Sequence, residues 1–130
     1  MYMLICGIRP AHFDLMDDMS YFMGRWTLPT LFKFVSVDHL LLILGCMLTE
    51  MRVVVVVEDL HILSACVFSL LILLRPLTWA GPVIVALPTS LSTYLESPVP
   101  LILGVQYLPT GFALEPGMVI INPVANQVCL

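Results

Sequence analysis

"RVVVVVED", Arg52 to Asp59, decides the fold. Its five successive valines are β-branched and do not alternate with polar residues. A strand with one face in water alternates; a strand buried on both faces does not. The run therefore predicts an interior strand of a parallel sheet covered by helices. Glu58 and Asp59 mark its carboxyl end and the approach to the next element.

The flanks agree with that reading. Upstream, "SVDHLLLILGCMLTE" predicts a helix from Val37 to Glu50. Ser36 suits its N-cap, and Asp38 places a carboxylate in the first turn. Leu40 to Leu44 are apolar on every side, so this helix is expected to be buried all round. Downstream, Leu60 to Leu74 predicts a second apolar helix, stopped by Arg75-Pro76. "LTWAG" is a loop, "PVIVAL" (Pro82 to Leu87) a short strand, and Ser90 to Leu95 a short helix.

"LESPVPLILGV", Leu95 to Val105, presses two prolines against an apolar run. Proline cannot donate to a sheet ladder and is expelled from central strands. Pro98 and Pro100 therefore read as a stiff approach, with the strand starting at Leu101. "MVIIN", Met118 to Asn122, is a fourth strand, and "NPVANQV" a turn that returns the chain. The sum is an α/β layer structure with a mainly parallel sheet and buried helices on its faces. Residues 1–35 read as an acidic, partly exposed lead-in segment, and 36–130 as the domain. Asp14, Asp17 and Asp18 lack the glycine and terminal glutamate of a calcium loop.

Of the 130 residues, 60% are hydrophobic and 11% charged. Average soluble domains sit near about 45–50% and 25%. The formal net charge is −4, Lys33 is the sole lysine, and no basic stretch exists. That argues against nucleic-acid binding, which needs phosphate neutralisation, and against a polybasic contact with a membrane surface. Ile62 to Leu74 is too short for a span of roughly 17–25 residues and reads as a core helix. Cys6, Cys46, Cys66 and Cys129 form no C-x-x-C pair and stand at no zinc spacing. They suggest a reducing, intracellular compartment. The start lacks the basic residues and cleavage signal of a secretory leader. Excess apolar surface predicts poor solubility or self-association.

No phosphate loop, dinucleotide fingerprint or nucleophile elbow is present. His61 and Cys66 are offset by five, which puts them on different helix faces. His39 and His61 read as helix-end histidines. Glu58, Asp59, Glu96 and Glu115 read as solvated loop acids rather than a converging acid–base pair. Trp79 reads as a packing residue. No catalytic residue, metal or cofactor is assigned.

From about Ser36 to Asn122 the chain resembles the central part of a DENN domain. "SVDHLLLILGCMLTEMRVVVVVEDLHILSAC", "LLILLRPLTWAGPVIVALP", "TSLSTYLESPVPLILGV" and "MVIINPVANQV" stand in the family's order. The resemblance implies a guanine nucleotide exchange factor for a Rab-type small GTPase. Such a factor grips the switch regions in vesicle trafficking, in the cytoplasm and at vesicle surfaces, and is a regulator without active-site chemistry of its own. A complete module also has an upstream longin-like lobe and a downstream helical part. The roughly 35 residues before Ser36 are too few for the first lobe, so an incomplete domain is expected, with the missing lobes in trans or on a larger partner. The alternatives are a non-catalytic interaction module, a truncated DENN fragment and, less favoured, a small membrane protein. Glu96 and Ser97, the polar members of the proline junction, are the candidate partner-binding residues. The family strand before the last turn commonly carries an acid where this chain has "INPVAN", so no role transfers to Asn122 or Pro123.

Overall fold

A computed structural model describes residues 2–4, 10–12 and 15–130, with side chains described from residue 20 onward. Strands β1 (Tyr2–Leu4) and β2 (Pro10–His12) pair antiparallel. Then come α1 (Leu15–Phe34), α2 (Val37–Leu48), β3 (Arg52–Val56), α3 (Leu60–Leu73), β4 (Val83–Ile84), a 3-10 helix (Thr89–Glu96), β5 (Ile102–Val105), β6 (Met118–Asn122) and β7 (Gln127–Cys129).

The valine strand β3 is the centre of a five-stranded sheet ordered β4-β5-β3-β6-β7. It runs parallel to β5, with Val53 opposite Ile102, and parallel to β6, with Val53 opposite Val119. β4 is parallel to β5, and only β7 is antiparallel, on β6. Val53, Val54 and Val55 are fully buried, as an uninterrupted β-branched run requires. Val53 and Val55 face the larger core, with Leu31 of α1, Ile43 of α2 and Leu63, Cys66 and Leu70 of α3. Val54 faces the other way, with Leu95, Leu101, Leu103, Val105 and Met118. The three α-helices thus contribute to one face, and the 3-10 helix caps the other. This is the mainly parallel α/β architecture expected from the sequence.

Local chemistry sets the element ends. Ser36 Oγ accepts from the His39 N–H at 3.5 Å, and Asp59 Oδ1 accepts from the His61 and Ile62 N–H groups at 2.7 and 3.3 Å. These caps satisfy donors that a helix start leaves unpaired. α2 stops two residues before the expected Glu50. Glu50 adopts a left-handed φ of 55°, its N–H donates to Met47 O, and the Met51 N–H donates to Cys46 O. That pair of bonds is a Schellman closure.

α2 is not buried all round, contrary to the expectation. Leu40, Ile43, Cys46 and Met47 are buried, but Val37, Leu41, Leu42 and Leu48 are exposed. One side of the helix meets the sheet, and no described element covers the other.

The segment before Ser36, to which the sequence assigned no element, contains the 20-residue helix α1. It packs on α3; at buried Gly24 an added Cβ would meet Ile72 at 3.6 Å, an ordinary van der Waals distance. It runs through Pro29, which is exposed. A helical proline withholds its N–H from the carbonyl four residues back; here that belongs to Arg25, which is also exposed.

Pairing at the proline junction begins where the sequence placed it. The Val53 N–H donates to Leu101 O at 2.8 Å, and the Ile102 N–H to Pro82 O at 3.0 Å. Neither Pro98 nor Pro100 is asked for a donor. The strand expected over Pro82 to Leu87 shrinks to Val83–Ile84. Beyond it the chain leaves the ladder at Val85 and touches again through the Leu87 N–H and Gly104 O at 2.7 Å.

Candidate partner-binding face

The proline junction lies at the end of the sheet where β3 and β5 begin. Glu96 closes the 3-10 helix and is exposed. Its carboxylate makes no hydrogen bond or ion pair with any described residue. Around it in the chain, Leu91, Tyr94 and Val99 are exposed by 44–50%, and Pro98 is exposed as well. A carboxylate with no partner among the described residues, beside half-exposed apolar side chains, suits a protein surface that supplies a cation next to an apolar patch.

Ser97 plays a different part. Its N–H donates to Tyr94 O at 3.2 Å, and its carbonyl accepts from Arg52 Nη1 at 3.2 Å. Arg52 Nη2 donates to Pro116 O at 3.3 Å, and Arg52 Nη1 pairs with Glu115 Oε2 at 2.8 Å. The backbone N–H of Arg52 donates to Gly117 O at 3.0 Å. One guanidinium therefore ties the start of β3 to the junction and to the approach of β6. Glu115 is an ion-pair partner, not the lone solvated acid the sequence suggested. The sequence reading missed Arg52, because its partners lie 45 and 64 positions away.

A cavity of about 620 Å³ borders the junction, lined by Met47, Leu74, Leu77, Trp79, Val99 and Pro100 among others. Trp79 packs against the larger core, as expected. Its Nε1 is buried without an acceptor among the described residues, and a buried donor left unpaired costs about 1–3 kcal/mol. Gly81 lies against both Pro100 and Trp79: a Cβ there would meet Pro100 O at 2.4 Å and Trp79 Nε1 at 3.0 Å.

At the opposite end of the sheet, Glu58, Asp59, Gln106, Tyr107 and Asn122 border a cavity of about 580 Å³. Open α/β sheets often bind ligands at this end of their strands. Here, however, the Asp59 carboxylate is spent on capping α3, and the Glu58 carbonyl accepts from Gln106 Nε2 at 2.7 Å. His61 is exposed while Cys66 is buried in the core, so the two are not brought together. Burial pushes the Cys66 thiol up to about 11, and the Cys46 thiol also upward. Thiols so placed are poor nucleophiles. Among the described residues no three His, Cys, Asp or Glu side chains gather at a metal-holding distance. Cys6, Asp14 and the side chains of His12, Asp17 and Asp18 lie outside the described residues.

His39 Nδ1 contacts Asn126 Oδ1 at 2.9 Å, and the Ser36 N–H donates to the same oxygen at 3.0 Å. Asn126, at a left-handed φ of 48°, thereby anchors the β6–β7 turn to the start of α2. Among the described residues no single helix is long and apolar enough to cross a membrane. Ser20–Phe34 and Val37–Leu48 pass that test only as a pair bent by 117°.

The DENN (AEX-3) domain model matches residues 9–120. The chain belongs to the DENN domain family. It is 37% identical over 75 residues to human DENN domain-containing protein 2C, covering 58% of this chain and 8% of that protein. It is 33% identical over 75 residues to human DENN domain-containing protein 2A, covering 58% of this chain and 7% of that one. Myotubularin-related protein 5 of Caenorhabditis elegans is 35% identical over 75 residues, covering 58% and 4%. The match thus spans less than a tenth of the length of these relatives.

Proposed function

We propose that the chain is part of a guanine nucleotide exchange factor for a Rab-type small GTPase. It acts in the cytoplasm and at vesicle surfaces by gripping the switch regions. The observation that carries this reading is the family match over residues 9–120. The junction face supports it: Glu96 and its apolar neighbours offer a partner surface, and Ser97 fixes that surface through Arg52. Exchange needs no covalent step in the factor. It needs tighter binding to the nucleotide-free GTPase than to the loaded one, since a binding partner shifts an equilibrium only by its differential affinity. The test is release of fluorescent GDP from a panel of Rab proteins, with the chain alone and with a longin-like lobe added. Faster release from at least one Rab is expected. Neither acceleration nor binding with the added lobe would sink the proposal.

A second reading is an interaction module without exchange activity. It is favoured by the apolar side of α2, where Leu41 and Leu48 are exposed by 63% and 58%. It predicts Rab-independent co-purification with a larger DENN-containing partner and no change in GDP release.

A further inference from the structure

We infer that Ser97 is a phosphorylation site for a proline-directed protein kinase, and that its phosphate takes the Arg52 guanidinium from Glu115. The inference does not rest on the proposed exchange activity. Ser97-Pro98 is the sole Ser-Pro or Thr-Pro dipeptide in the chain. A kinase of that class seats the residue after the acceptor hydroxyl in an apolar pocket shaped for a proline ring. The junction presents such a segment. Pro98 and Val99 are exposed, and Ser97 is partly buried between them and Glu96. Ser97 is extended, at φ −61° and ψ 131°, the conformation that a following proline favours. Its hydroxyl makes no hydrogen bond with any described residue.

The segment is also lightly held. The 3-10 helix ends at Glu96, and ladder pairing starts at Leu101. Between them Ser97 carries the hydrogen bonds: its N–H donates to Tyr94 O, and its carbonyl accepts from Arg52 Nη1, each at 3.2 Å. A stretch with so few bonds opens locally without unfolding the sheet. Its prolines hold it extended already, so little freedom is lost on docking. In the transfer, Ser97 Oγ attacks the γ-phosphorus of ATP. The Oγ–P bond forms, the bond from that phosphorus to the bridging oxygen breaks, and ADP leaves. The hydroxyl proton passes to the kinase's catalytic aspartate and on to solvent.

The product places a charge of about −1.5 to −2 on Ser97. Arg52 is the one described cation bound to that residue. Guanidinium and phosphate join through paired, charge-assisted hydrogen bonds. The competing partner is weakly held. The Glu115 side chain is 46% exposed, whereas that of Arg52 is 11% exposed and bound to two carbonyls. Water screens a half-exposed pair, and the new charge repels the Glu115 carboxylate. Arg52 therefore exchanges Glu115 for the phosphate. The Arg52 N–H keeps its bond to Gly117 O, so β3 stays beside β6. The face around Glu96 becomes more acidic, and the guanidinium no longer ties the junction to Glu115.

Incubation of the full chain with ATP and a cyclin-dependent kinase, followed by peptide mass spectrometry, tests the site. Phosphate is expected on Ser97, absent in Ser97→Ala and incorporated at least about tenfold more slowly in Pro98→Ala, with circular dichroism confirming that both variants fold. No incorporation, incorporation at other residues alone, or incorporation into a peptide spanning Ser90 to Pro100 but not into the folded chain would overturn the assignment. Phosphorus NMR of the phosphorylated chain then reads the partner exchange without a further variant. The phosphate faces Arg52, with Glu96 and Glu115 nearby. Its second ionisation should lie at least about half a pH unit below that of the same phosphopeptide free in solution, because a bound cation favours the dianion. An equal or higher value would overturn the exchange of partners.

Discussion

Arg52 Nη1 meets Glu115 Oε2 at 2.8 Å while the same nitrogen donates to Ser97 O at 3.2 Å. The Arg52 side chain is 11% exposed and that of Glu115 46%. The two ends of the ion pair therefore differ in worth. A half-exposed carboxylate contributes about 0–1 kcal/mol. A nearly buried guanidinium also satisfies two backbone carbonyls, and bonds from charged donors contribute about 1.5–3 kcal/mol. Arg52→Ala should lower unfolding stability by about 2–4 kcal/mol and Glu115→Gln by less than about 1. Urea denaturation midpoints will separate them. Equal losses would mean that the ion pair, and not the carbonyl clamp, holds the junction.

Glu50 sits at φ 55°, where a side chain is strained and glycine is not. Its N–H closes α2 on Met47 O, and the carboxylate itself is exposed. Glu50→Gly should stabilise the chain by about 0.5–1 kcal/mol. A higher thermal midpoint is the readout.

Gly104 has no room for a methyl group. A Cβ there would lie 2.0 Å from Val85 O and 3.1 Å from Leu63 Cδ1. The first neighbour is backbone and cannot rotate away. Gly104→Ala should cost at least about 2–3 kcal/mol and strip β4 from the sheet edge. Hydrogen exchange should then be fastest at Val83 to Leu87.

Burial pushes the Cys66 thiol from 9.0 to about 11. Between those values the unfolded chain releases the proton and the folded chain keeps it. The resulting stabilisation is complete below about pH 9, falls as pH rises, and is gone above about pH 11. At 1.36 kcal/mol per unit, the loss is roughly 2–3 kcal/mol. Urea unfolding at pH 8 and at pH 10.5 should show this decline in the parent and a shallower one in Cys66→Ala. In native protein at pH 8, exposed Cys129 should react with a thiol reagent well before Cys66.

The parts of the fold readable in the sequence were those coded locally. Val53 to Val57 carry no alternation and lie at the sheet centre. Ser36 and Asp59 stand where caps must stand. Pro98 and Pro100 sit just outside the ladder because they cannot enter it. α1 was not readable, since Tyr21, Phe22, Trp26 and Phe32 face outward, Pro29 reads as a helix breaker although the helix runs through it, and Gly24 and Leu31 alone leave no clear apolar period. The sidedness of α2 was hidden for the opposite reason: a helix apolar on every face does not say which face is covered. β7 escaped notice because its three residues are mostly exposed. At the candidate face, Glu96 and Ser97 were picked out by their place in the junction. Arg52 and Asn126 act on residues far along the chain, which spacing does not show.

Affinity for the nucleotide-free and GDP-loaded forms of one Rab GTPase tests the exchange proposal most directly. It is best measured by titration with the parent chain and with Glu96→Lys, with the longin-like lobe present. The expected result is at least tenfold tighter binding to the nucleotide-free form, weakened by Glu96→Lys without loss of folding. Equal affinity for the two forms, or binding to neither, would contradict it.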